Sequence, residues 1–177
     1  MALALDVDAL KAAIRDVPDF PKPGIVFKDI TTLLREPKHF HSVGNLMADM
    51  CRNHPADKVV AIESRGFILG GVLADRLGLG FVPVRKPGKL PAKTVKATYE
   101  LEYGSDTLEI HADALAPGER VLVVDDVIAT GGTATAVAEL CHKLGAKVSA
   151  FAFLIELGFL EGRAKLAGHE VLSLITY

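Results

Sequence analysis

Val121-Leu122-Val123-Val124-Asp125-Asp126-Val127-Ile128-Ala129-Thr130-Gly131-Gly132-Thr133 decides how this chain folds. An apolar β-branched run of this length predicts a buried strand. The strand meets two adjacent acids, then a loop of small residues, and helical periodicity follows from Gly131 to Leu144. A helix N-terminus leaves its first N–H groups unpaired and carries the positive end of the dipole, so it attracts anions. Ala129, Gly131 and Gly132 let an anion approach the backbone, and Thr130 and Thr133 add hydroxyl donors. Asp125 and Asp126 would repel a phosphate beside them unless hydroxyl donors lie between, as those of a sugar do. A ligand with both a sugar diol and a phosphate satisfies both halves of the stretch. Other phosphate motifs are absent: there is no G-x-x-x-x-G-K-[ST], and no G-x-G-x-x-G follows a strand.

Outward from this stretch, strands and helices alternate. Lys58–Ile62 reads as a buried strand, interrupted by Glu63-Ser64-Arg65-Gly66, with a helix to about Leu77. Gly80–Arg85 and Lys147–Ile155 read as further strands, and a short helix precedes a last strand at Glu170–Thr176. Such alternation implies an α/β fold with a mainly parallel sheet and helices on both faces. Towards the N-terminus, helical spacing of Val7, Leu10, Ala13, Ile14 and Val17 predicts a helix ended by Pro18. Pro23–Asp29 reads as an ordered loop, and Pro37 opens the next helix. Lys86–Thr98, with four lysines, two prolines and a glycine, reads as a basic, mobile loop with little to bury. Tyr99–Tyr103 and Thr107–His111 flank a hairpin signal at Gly104-Ser105-Asp106.

The 177 residues fit one domain, with about the first 35 forming a small cap. The formal charge of −2 argues against nonspecific binding to nucleic acid or an anionic membrane. No apolar run is long enough for a bilayer, and an N-terminus with Asp6 and Asp8 does not read as a signal peptide. Cys51 and Cys141 form no C-x-x-C pair and read as two buried thiols, which favours a soluble, cytoplasmic protein. The six histidines lack metal-ligand spacing.

Val121–Thr133 resembles the phosphoribosyl-diphosphate signature of the type I phosphoribosyltransferases. Four further segments resemble the adenine phosphoribosyltransferase family in the same order: Pro23–Ile30, Glu63–Phe67, Arg85–Pro91 and Tyr99–Gly104. The resemblance spans nearly the whole chain. It implies the type I phosphoribosyltransferase fold, with a parallel central sheet flanked by helices, an N-terminal hood and a flexible hairpin loop.

It also implies transfer of the 5-phosphoribosyl group from phosphoribosyl diphosphate to N9 of adenine, giving AMP and pyrophosphate in purine salvage. By the same resemblance, Asp125 and Asp126 hold the ribose hydroxyls, and Ala129, Thr130, Gly131, Gly132 and Thr133 hold the 5-phosphate. Glu63, Ser64 and Arg65 belong at the pyrophosphate, with a cis peptide at Glu63–Ser64, and Arg85, Lys86 and Lys89 join them. Ile25, Val26, Phe27 and Lys28 form the adenine pocket, with Phe27 stacking on the purine. Tyr99, Glu102 and Tyr103 belong to the mobile loop. Glu102 approaches N7 of adenine and, with Arg65, is a candidate catalytic residue. Mg²⁺ is carried on the diphosphate rather than by protein side chains alone. A homodimer is expected, with an arginine such as Arg85 acting across it.

Two rival readings use the same signature. A regulator that senses phosphoribosyl diphosphate would need a nucleic-acid-binding surface, and the chain has neither a helix-turn-helix extension nor a basic charge. A transferase for hypoxanthine, guanine, xanthine or a pyrimidine would keep Val121–Thr133 but not the segments around Ile25–Lys28 and Tyr99–Gly104.

Overall fold

The structure is a computed structural model and describes residues 7–100 and 105–177. The chain divides into two compact units, the first ending at Leu46 and the second spanning Met47–Tyr177.

The first unit contains α1 (Val7–Ala12), β1 (Arg15–Pro18), β2 (Val26–Asp29), α2 (Thr31–Leu34) and the start of α3 (Pro37–Cys51). Leu10, Ile14, Ile30 and Leu33 are buried. Two expectations fail here. The first helix stops at Ala12 instead of Pro18, and the expected loop ends in a strand. The cause is antiparallel pairing, from Arg15 opposite Asp29 to Pro18 opposite Val26. Cross-strand charges lock that register: Arg15 Nη2 lies 2.5 Å from Asp29 Oδ2, and Lys28 Nζ lies 2.7 Å from Asp16 Oδ1. Helical spacing alone did not reveal these partners.

The second unit is built on β3 (Lys58–Ile62), β4 (Gly80–Val84), β7 (Arg120–Ile128), β8 (Lys147–Glu156) and β9 (Val171–Thr176). They form one sheet in the order β4-β3-β7-β8-β9, every pair parallel. α4 (Arg65–Leu77) connects β3 to β4, and α5 (Gly132–Lys143) connects β7 to β8. The two connections run outward in opposite directions, so right-handed crossovers put the helices on opposite faces. Burial divides with the two-residue period of a strand. A Cβ on Gly70 of α4 would sit 2.5 Å from Ala61 Cβ and 3.5 Å from Val59 Cγ1. The alternate residues Val60, Ile62, Val121, Val123, Phe151 and Phe153 cluster with Val137, Leu140 and Cys141 of α5.

The order reverses between β3 and β7. Open α/β sheets bind ligands outside the carboxyl ends of their strands at such a switch point. β3 stays paired with β7 only as far as Ala61 opposite Val124, whereas β7 continues along β8 to Ile128. A crevice therefore opens beside Asp125.

Thr94–Glu100 forms β5, which pairs antiparallel with β6 (Ser105–His111). The last five residues of the expected loop from Lys86 to Thr98 are thus strand. Ala97 is 2% exposed and joins the core cluster with Leu108 and Ile110. Lysines and prolines hid an alternation in which Lys96 and Thr98 face out while Ala97 faces in. The expected turn shifts as well, since β6 already begins at Ser105. The expected last helix is two short 3-10 turns, Gly158–Leu160 and Gly162–Leu166.

Among the described residues, no helix is long and apolar enough to cross a membrane. Cys51 and Cys141 are free and buried, and burial pushes both thiols up to about 12.

Candidate active site

The carboxyl end of β7 turns into α5 through 129–131, and this loop lines a concavity of about 350 Å³ with Asp125 and Phe153. Gly131 is the N-cap residue at φ 80°, and no side chain caps the helix there. A Cβ at Gly131 would collide with the carbonyl oxygen of Gly162, and one at Gly162 with that of Ala129. Glycine is needed here for backbone angle and close approach alike. The loop's shape thus depends on a 3-10 turn some thirty residues downstream. Gly162 was not among the expected site residues, because no local motif marks it.

A second concavity of about 520 Å³ shares Asp125 and Thr133 with the first. Its other walls are Ile62, Glu63, Ser64, Arg65, Lys86, Tyr99, Asp106, Leu108 and Asp126. The expected sugar-phosphate residues and, of the expected pyrophosphate residues, Glu63, Ser64, Arg65 and Lys86 therefore surround adjoining spaces, while Arg85 and Lys89 line neither. α4 comes in very close: a Cβ on Gly66 would lie 2.8 Å from Asp125 Oδ1 and 3.0 Å from Val124 O. The Glu63–Ser64 peptide is cis, as the resemblance implies.

The two acids differ. Asp126 is 4% exposed, and its Oδ2 accepts a hydrogen bond from Arg65 Nε. Asp125 Oδ1 accepts from the Asp126 backbone N–H at 2.8 Å. Burial, then the charge of Asp126, pushes the Asp125 carboxyl well above the usual carboxylate range.

Glu63 gathers the basic segment. It accepts from Arg85 Nη2 at 3.0 Å, Lys89 Nζ at 2.9 Å and the Lys86 backbone N–H at 3.0 Å. Partial burial opposes its ionisation, but these donors outweigh burial and hold the carboxyl at about 2. Lys86 Nζ pairs with Asp106 Oδ2 at 3.0 Å, and Lys96 Nζ with Glu109 Oε1 at 2.7 Å. Asp106 and Glu109 were missed. Lys96 stands opposite Glu109 in the β5–β6 register, so only the pairing of the strands exposes this charge match.

In the first unit, Val26, Phe27 and Lys28 lie on β2, with Ile25 just before it. Ile25 and Val26 are exposed, and Phe27 meets the Phe20 ring edge-on at 5.2 Å. Glu102 and Tyr103 lie outside the described residues. Among the described residues, no group of three or more His, Cys, Asp or Glu side chains could hold a metal ion.

The model of the phosphoribosyl transferase domain family matches residues 29–168. The adenine phosphoribosyltransferase of Desulfitobacterium hafniense (strain Y51) is 58% identical over 174 residues, 98% of this chain and 99% of that protein. The crystal structure of adenine phosphoribosyltransferase from Thermoanaerobacter pseudethanolicus superposes with a TM-score of 0.96 at 52% identity, over 97% of this chain and 100% of that one. The Saccharomyces cerevisiae enzyme, complexed with D-2,5-dideoxy-2,5-imino-altritol 1,6-bisphosphate and adenine, gives 0.89 at 44% identity, over 95% of this chain and 97% of that one.

Proposed function

This chain belongs to the phosphoribosyl transferase domain family, among its adenine phosphoribosyltransferases, and from that premise we infer how its residues divide the reaction. The chain transfers the 5-phosphoribosyl group of phosphoribosyl diphosphate to N9 of adenine, giving AMP and pyrophosphate. One observation carries the division of labour. An acid pair and an uncapped helix N-terminus share the end of β7, beside the cations Arg65 and Lys86 that follow β3 and β4.

The 5-phosphate sits on the N–H groups of 129–133, helped by the hydroxyls of Thr130 and Thr133. Asp125 and Asp126 accept hydrogen bonds from the two ribose hydroxyls. Arg65, Arg85, Lys86 and Lys89 take the charge that builds on the departing diphosphate. The anomeric carbon becomes electron-poor as that bond lengthens, and N9 of adenine attacks it. The base lies against Ile25, Val26, Phe27 and Lys28, and Glu102 handles its N7 proton. No covalent nucleophile takes part, so rate enhancement comes from positioning and charge stabilisation.

Mg²⁺ supplies further neutralisation of the diphosphate when it is carried in with the substrate. Asp125 and Asp126 offer the oxygen ligands this ion prefers, without a dedicated cage. A homodimer is proposed from the family. The two free, buried thiols support a cytoplasmic, reducing setting.

Purified protein with adenine, phosphoribosyl diphosphate and Mg²⁺ should release AMP and pyrophosphate. Faster turnover of hypoxanthine or guanine would overturn the choice of base.

A further inference from the structure

Tyr99 and Asp106 oppose each other in the β5–β6 ladder, and the Tyr99 hydroxyl donates to Asp106 Oδ2 at 3.4 Å. Tyr99 also lines the same concavity as Thr133 of the anion loop. Asp106 Oδ2 also pairs with Lys86 Nζ at 3.0 Å, while its Oδ1 accepts from the Thr107 backbone N–H at 2.8 Å. All four side chains line the larger concavity. One polar chain, Tyr99–Asp106–Lys86, thus joins a diphosphate cation to a tyrosine that shares its concavity with the 5-phosphate loop.

We propose that Asp106 is a positioning residue for Lys86, and that Tyr99 couples this pair to occupancy of the 5-phosphate loop. The inference rests on the assignment of phosphoribosyl diphosphate to these concavities. A carboxylate in a pocket for an anion has two opposed readings. As a competitor it keeps Lys86 from the diphosphate. As a positioning group it aims Lys86 and removes in advance the rotamer freedom that binding would otherwise cost. Donor count decides between them: an ammonium has three N–H groups, and Asp106 occupies one direction. Asp106 is itself fixed at both oxygens, so it holds Lys86 at a defined point. Thr133 has a single hydroxyl proton. A 5-phosphate that takes it enters the concavity that Tyr99 lines, and through the Tyr99–Asp106 hydrogen bond the arrival of one phosphate group is felt at Lys86.

The test is calorimetric titration with magnesium pyrophosphate, with and without saturating ribose 5-phosphate. Asp106→Asn should weaken pyrophosphate about tenfold, the scale of one charge-assisted hydrogen bond. Lys86→Gln should weaken it similarly, and the double variant should be no weaker than Lys86→Gln alone. In Tyr99→Phe, the factor by which ribose 5-phosphate changes pyrophosphate affinity should shrink toward one. Unaltered ribose 5-phosphate affinity shows that each variant is folded. Tighter or unchanged pyrophosphate binding in Asp106→Asn, or fully additive losses, would overturn the positioning role. An unchanged coupling factor in Tyr99→Phe would overturn the link. Adenine turnover by the wild type is read separately. If it fails while coupled binding persists, the substrate assignment falls and this inference stands.

Discussion

The two halves of the candidate site are built from different materials. At the end of β7, the anion loop offers backbone N–H groups and hydroxyls, held by glycine geometry and by the packing of Gly162 against Ala129 and Gly131. At the end of β3, the charge is carried by long side chains, and carboxylates already hold them. Glu63 binds Arg85 and Lys89, Asp106 binds Lys86, and Asp126 binds Arg65. The first half is ready before ligand arrives. In the second, three carboxylates already pair with four cations, and a diphosphate must share or exchange them. Backbone sites resist small changes of charge but not of shape, whereas side-chain sites behave in the opposite way.

Gly131→Ala tests that contrast most severely. The new Cβ meets the Gly162 carbonyl oxygen at a φ that side chains rarely adopt. The loop has to move, and a displacement of this kind costs about 100-fold in kcat/KM. Near-normal kinetics with phosphoribosyl diphosphate would break the claim that shape governs this half.

Asp125→Asn lies between the halves and should lower kcat/KM by roughly 10–100-fold, through loss of a charge-assisted hydrogen bond to ribose. Its stability should move the other way. A native acid with a raised pKa binds more protons than the unfolded chain, so stability falls as pH rises from the ordinary 3.8 through the raised value. The variant escapes that loss. Its Tm should exceed that of the wild type at pH 7, with the gap closing toward pH 3.8, and thermal melts across pH check this.

Glu63→Gln should have the smallest effect of the three and the opposite sign on stability. The folded carboxyl is held at about 2, below the ordinary 4.5, so its contribution is complete above 4.5 and is lost as pH falls toward 2. At neutral pH the variant should be less stable by about 1–2 kcal/mol, after discounting for the exposure of Lys89 and Arg85. A deficit that does not shrink on acidification would show that Glu63 is not an ionic hub.

The same division governs what could be read before the fold was known. The sheet, the loop at 129–133 and the strand at Lys58–Ile62 were legible because apolar runs, small residues and their order are local signals. The hairpin was half legible. Its lysines spoke for a solvated loop, and only the pairing of β5 with β6 reveals why Ala97 is buried and why Lys96 has Glu109 as its partner. Asp106 and Gly162 carried no local mark, since their roles depend on residues distant in sequence. β1 and β2 were misread for a related reason: four-residue strands exist by virtue of each other, and neither looks extended alone.

The two buried cysteines add a practical consequence. With both thiols pushed up to about 12, almost no thiolate is present at neutral pH, and neither sulfur is open to solvent. Alkylating reagents can then reach them only in molecules whose core has opened. The rate of modification is a native clock for opening of the second unit, at Cys51 on α3 and Cys141 on α5. A ligand that seats itself at the end of β7 should slow that clock.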